Sequence, residues 1–163
     1  MTAENTAPDR ALIVLLRLAM AWVFLYAASH QVLVPGWSAT GFLAHTKTFH
    51  ALFILFTGPG IGAVVSFLVE YGHLLIGLSL LAGLFVRASS IAAIGLMILY
   101  WMAHMDFPFI SNHNNFLIDE HIVYALVLAL LYIRSAGHIL GLDGWMAGRG
   151  LARNSRLIGW ACG

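Results

Sequence analysis

The chain has 163 residues, of which 61% are hydrophobic and only 9% charged, with a formal net charge of +1. A soluble domain carries about 25% charged residues, and a small one leaves much of its surface in water, so a mean hydropathy of +0.88 implies lipid as the main solvent. The near-zero charge excludes a basic face for nucleic acid. The single cysteine, Cys162, excludes an internal disulfide, a paired-cysteine redox centre and a thiolate metal cluster.

Met1 to Arg10 is polar and carries no cleavage site after a short apolar core, so the first apolar segment is read as a retained helix. A spanning helix needs about 20 mostly apolar residues, and four segments are expected to qualify. The first runs from Ala11 to Val34 and stops at Pro35-Gly36. The second runs from Ile61 to Val86, after the breaker Gly58-Pro59-Gly60. The third runs from Ala88 to Met105, before Asp106 and Pro108. The fourth runs from Phe116 to Ile133, before Arg134 and Gly137. Between the first two, residues 37–57 mix Phe42, Phe49 and Phe53 with His45, Lys47 and His50, the pattern of a segment lying in the membrane interface. Trp145 and Trp160 beside Arg149, Arg153 and Arg156 give the tail the same character.

The fold class read from this pattern is all-α, an integral membrane antiparallel four-helix bundle. Residues 1–10 form a cytoplasmic N-terminal tail. Residues 11–134 form the transmembrane domain, with 37–57 as an outer interfacial segment, and 135–163 form a cytoplasmic amphipathic tail. The orientation follows from Arg10, Arg87, Arg134, Arg149, Arg153 and Arg156, which then all lie inside, against Lys47 outside.

This topology gathers histidine on the outer side. His30, His45, His50, His104, His113 and His121 fall there, with His73 in the outer half of the second helix. Imidazole is both a proton carrier and a metal ligand near neutral pH. Glu70 and His73 lie within the hydrocarbon span, on a stripe with Gly62, Ala63, Ser66 and Gly77. An ionisable residue at that depth is a functional candidate by default; the plainer reading of Glu70 is a buried ion pair with Arg17. Asp119 and Glu120 suit simple capping of the fourth helix, which leaves His121 unexplained. One outer cavity holding Glu70, His73, His104 and His121 is expected, against a simpler arrangement in which His104 and His121 face headgroups.

Several short motifs together are similar to one family. They are Arg17 before the aromatic run to Tyr26, Glu70 and Gly77 before Gly83-Leu84-Phe85-Val86-Arg87, Asn115 to His121 before Tyr124, and Ala136-Gly137 before Gly141-Leu142-Asp143. In this order the chain resembles the DoxX-like family, and within it the DoxD-type subunits of thiosulfate:quinone oxidoreductases. Where members often carry a lysine after the first helix, this chain has His30-Gln31. The resemblance implies a subunit in a bacterial or archaeal cytoplasmic membrane that oxidises thiosulfate and passes electrons to membrane quinone. Glu70, His73 and His121 are then the candidate catalytic residues, and Arg17, Tyr100, Trp101, His104 and Tyr124 the candidate quinone-binding residues. Quinone is the expected acceptor and a partner subunit or homo-oligomer the expected context. No metal ligand set is assigned, although His104 and His121 leave a haem or metal site open. A non-catalytic bundle that anchors a partner complex is the alternative.

Overall fold

The computed structural model describes residues 6–110, 116–151 and 156–162. His113, Asn115 and Arg153 lie outside them. Among the described residues the chain is helical, with only isolated bridges linking Asp106 to Phe109 and Phe109 to Phe116.

Helix α1 spans Ala7–Val32. It starts four residues before the expected Ala11 because Thr6 and Asp9 form a reciprocal capping box, followed by Pro8 in the first turn. Ile13, Arg17, Met20, Ala21, Phe24 and Ala28 recur at helical spacing on its buried face. Two short helices follow, α2 (Thr40–Ala44) and α3 (His50–Phe53), then a single tight turn at Ile54–Thr57. Helix α4 spans Ile61–Ala82 and ends at Gly83, whose φ of +65° is open to glycine without a Cβ penalty. Helix α5 (Val86–His104) starts three residues on, so α4 and α5 are antiparallel.

α1, α4 and α5 are long and apolar enough to cross a membrane. Helix α6 (Glu120–Ile133) is apolar but has 14 residues, about 21 Å at 1.5 Å per residue, short of the ~30 Å hydrocarbon core. The fourth segment was expected from Phe116. Hydropathy cannot see why it starts later: Phe116 is bridged to Phe109, Leu117 is left-handed with φ +60°, and the Trp101 indole N–H donates to the Leu117 carbonyl at 2.6 Å. Asp119 then caps the helix.

α1 packs chiefly on α4 and α5 on α6, around a core that includes Phe24, Leu80, Met97 and Leu128. Gly77 lets α1 and α4 approach, since a Cβ there would lie 3.0 Å from the Leu25 nitrogen. Leu12, Leu15, Trp22, Val64, Leu68, Leu75 and Leu126 point outward and are exposed, an apolar surface too extended for water.

One end of the helices is closed by a polar knot. The Arg17 guanidinium donates to the carbonyls of Ala136 (2.7 Å), Ile139 (2.9 Å) and Leu140 (3.0 Å). The expected Arg17–Glu70 ion pair is therefore not formed. Arg17 turns toward the nearer helix end, where the chain leaves α6 and the carbonyls of Ala136, Ile139 and Leu140 converge on it. Asp143, fully buried at the start of α7 (Leu142–Gly148), accepts from the Phe85 and Val86 backbone N–H groups at 2.7 and 3.1 Å. It thus caps α5 from 57 residues away. A last helix, α8 (Arg156–Cys162), packs against α5 and brings Cys162 into burial.

Candidate functional site

The opposite end holds most of the described histidines, His138 being in the knot. α4 brings His73, buried at 3% exposure, against Phe24 of α1 and Tyr100 of α5, with ring centroids 5.7 and 5.6 Å apart. One turn along α5, His104 stacks on His121 of α6 at 5.0 Å and 27°. Tyr100 touches both, at 6.4 and 5.7 Å. Phe42 of α2 closes the group against His104 at 4.9 Å. Thus His73, His104 and His121 gather around Tyr100, three of the four residues expected together.

The hydrogen bonds fix the tautomers. His73 Nδ1 faces the Val69 carbonyl at 2.7 Å and His104 Nδ1 the Tyr100 carbonyl at 2.8 Å. A carbonyl only accepts, so each Nδ1 carries a proton, and Nε2 is the ring nitrogen left to meet another partner. His121 Nδ1 lies 2.8 Å from Asp119 Oδ2, while Asp119 Oδ1 accepts from the His121 N–H at 3.0 Å. Asp119 is 5% exposed. It both caps α6 and orients the imidazole, the second role being one that capping logic alone does not disclose.

Beside this group lies a cavity of 530 Å³ between the α2–α3 segment, α4 and α5. Phe42, Leu43, Phe53, Val69, Leu96 and Ala103 give it apolar walls, and Tyr100 and His104 are its titratable lining groups. Leu68, Leu99 and Phe56, all substantially exposed, stand at its mouth. The volume lies within the range of about 300–1,000 Å³ typical of small-molecule sites. The roof is held by main chain: Thr48 N–H donates to the Met105 carbonyl at 3.2 Å, and Thr48 Oγ1 accepts from Phe107 N–H at 2.8 Å.

Glu70 is elsewhere. It lines a second, more open cavity of 430 Å³ with Ser38, Thr40, Gly58 and Ser66. At about 100° per residue, Ala63 and Glu70 fall to one edge of the stripe, whereas Gly62, Ser66, His73 and Gly77 are buried. Glu70 makes no hydrogen bond or ion pair to a described residue. Trp101 is spent on Leu117, as described above. Tyr124 packs against the main core. Arg17 sits in the knot at the far end. Asp119, Glu120 and His121 offer ligand atoms within 4.8 Å of one another, but the Asp119 oxygens are already occupied by its cap and by the His121 ring.

Gln31 was singled out in the sequence only as a departure from the lysine. Its side chain reaches the Tyr100 hydroxyl, and its Oε1 is buried without a hydrogen-bond partner among the described residues. Phe42 had no signal beyond an apolar position in an interfacial segment. Comparison with known proteins returns no matching family model, no similar curated protein and no similar solved structure.

Proposed function

We propose that this chain is a four-helix integral membrane protein whose apolar cavity binds a lipid-soluble redox carrier of the quinone type. One observation carries the reading: a 530 Å³ apolar cavity with an exposed leucine mouth presents Tyr100 and His104, with an Asp119-backed His121 stacked on His104. The mouth would admit an alkyl tail from lipid, and the phenol and imidazole would hold the head group. Two-electron reduction of the carrier requires two protons at its oxygens; Nε2 of His104 and of His121, once protonated from the outer side, would hand them on, and Asp119 would stabilise the imidazolium of His121 in between.

Orientation is part of the proposal. Arg10, Arg87 and Arg134 all stand at the knot end of their helices, so the knot faces the cytoplasm and the histidines the outer side of a bacterial or archaeal cytoplasmic membrane. The titratable groups at and behind the cavity, Tyr100, His104 and the Asp119–His121 pair, move protons readily and electrons poorly. A partner subunit then delivers the electrons, with thiosulfate as the donor that the resemblance implies. A haem between His104 and His121 is less well supported, because the two rings stack face to face instead of aiming nitrogens at a shared iron.

The test is binding of a decyl-substituted benzoquinone to purified protein in detergent. Saturable binding is expected, and Ala103→Phe, which fills the cavity from a buried wall position, should abolish it while helicity is retained. Equal binding by that variant would remove the site. Protein purified with its partners should also reduce the quinone on addition of thiosulfate; no reduction would remove thiosulfate as donor.

A further inference from the structure

We infer that the second cavity, the one holding Glu70, is a separate binding site for a primary ammonium group. It shares Trp37 and Ser38 with the lining of the carrier cavity, but its chemistry differs. Glu70 is the one charged side chain among its described lining residues, with no Lys, Arg or His beside it. The carboxyl is half-buried and makes no hydrogen bond or ion pair to a described residue. It lies nine residues beyond Ile61, the first residue of α4, about 14 Å along the helix axis. Thr57, Gly58 and Gly60 line the cavity at that helix start, so the space runs down α4 from the loop to Glu70. A carboxylate at such depth in a spanning helix is costly without a partner. A cation entering beside it offsets that cost and itself favours the ionised form.

The hydroxyls of the lining are largely engaged by the protein itself. Ser66 Oγ donates to the Gly62 carbonyl at 2.7 Å and accepts from the Ala39 N–H at 3.1 Å. Thr57 Oγ1 donates to the Ile54 carbonyl at 2.8 Å, and the Ser38 and Thr40 hydroxyls bond to each other at 2.9 Å. The donors left for a ligand are the Trp37 indole N–H and one hydroxyl proton of the Ser38–Thr40 pair, both uncharged. Glu70, with two acceptor oxygens and no described partner, is the group with the greatest unmet capacity. A hard metal ion asks for six or more oxygens, which one carboxylate does not supply, and a cavity of 430 Å³ is far larger than a single ion. Trp37 and Phe67 add aromatic walls, which attract an organic cation. A primary ammonium brings N–H donors for charge-assisted bonds to the carboxylate, which a quaternary one lacks. Such a head group occurs on soluble amines and on aminophospholipids. Ala63 and Phe67, both exposed, put lipid within reach on one flank of the cavity.

The test is equilibrium dialysis of radiolabelled ethanolamine against the purified chain in detergent at neutral pH. Saturable binding is expected, displaced by methylammonium but not by ethylene glycol, in which a hydroxyl replaces the ammonium. Glu70→Gln, isosteric and uncharged, should weaken it about tenfold or more while helicity and decyl-benzoquinone binding stay unchanged. No saturable binding by the unaltered chain, equal displacement by ethylene glycol, or undiminished binding by a folded Glu70→Gln variant would overturn the inference, and none of these bears on the carrier cavity. In phosphatidylcholine nanodiscs the chain should still take ethanolamine. Loss of that binding in phosphatidylethanolamine nanodiscs would assign the head group to lipid, and its retention would assign it to a soluble amine.

Discussion

At the residue scale, the account turns on what each charged or titratable side chain touches. Arg17 answers three main-chain carbonyls and Glu70 answers none of its groups. Arg17→Leu should therefore lower thermal stability by about 3 kcal/mol or more, because buried carbonyls lose charge-assisted partners. Adding Glu70→Leu should give no recovery; recovery in the double variant, read from thermal unfolding in detergent, would restore the pairing expected from sequence. Asp119→Asn keeps a good helix cap but loses the carboxylate behind His121. It should lower turnover with quinone at least tenfold, with unfolding temperature shifted by only a few degrees. At the other end, burial together with the neighbouring Asp143 carboxylate pushes the Cys162 thiol up to about 11. Its thiolate is scarce at neutral pH, so alkylation by a maleimide should be slow, by roughly 100-fold or more against a free thiol, and should accelerate as pH rises toward 11. Rapid alkylation at pH 7 would contradict the packing of α8. The three imidazoles were legible because helical spacing and depth both marked them. The Arg17 acceptors were not, since backbone carbonyls leave no trace in residue identity.

At the element scale, helix positions followed from hydropathy and breakers, while their ends were set by contacts between distant segments. α4 stops at Gly83, not Val86, because the left-handed turn falls there, and α5 is capped by Asp143 across 57 residues. No local pattern announces such a cap. Asp143→Ala should accordingly destabilise the fold by about 2–4 kcal/mol, as two buried N–H groups lose a charged acceptor. Asp143→Asn should recover part of the loss. A variant as stable as the parent in thermal unfolding would show that the α4–α5 turn does not depend on the tail. Residues far apart in the chain, Arg17, Gly83, Gly137, Gly141 and Asp143, meet in this knot: an added Cβ on Gly83 would lie 2.8 Å from the Arg17 guanidinium, and one on Gly137 would collide with Asp143. They set how the helices are joined at one end, away from the cavities.

At the scale of the whole molecule, polarity is segregated along the helices. Arginine, the knot and His138 occupy one end, the other described imidazoles and the two cavities the other, and leucine-rich surface lies between. Composition revealed the lipid solvent and the histidine asymmetry. It did not reveal the cavity, which exists only because α2 and α3 fold back over α4 and α5. The measurement that bears most directly on the central claim is photolabelling in native membrane vesicles. A benzoquinone with a photoreactive azido group and a short alkyl tail would be irradiated and the labelled peptides mapped by mass spectrometry. The account predicts label around Phe42–Leu43, Leu68–Val69 and Leu99–Ala103, the segments that line the cavity, suppressed by excess unlabelled carrier and by Ala103→Phe. Label spread over Leu12, Leu15 and Leu75 on the exposed outer surface, and indifferent to competitor, would contradict it.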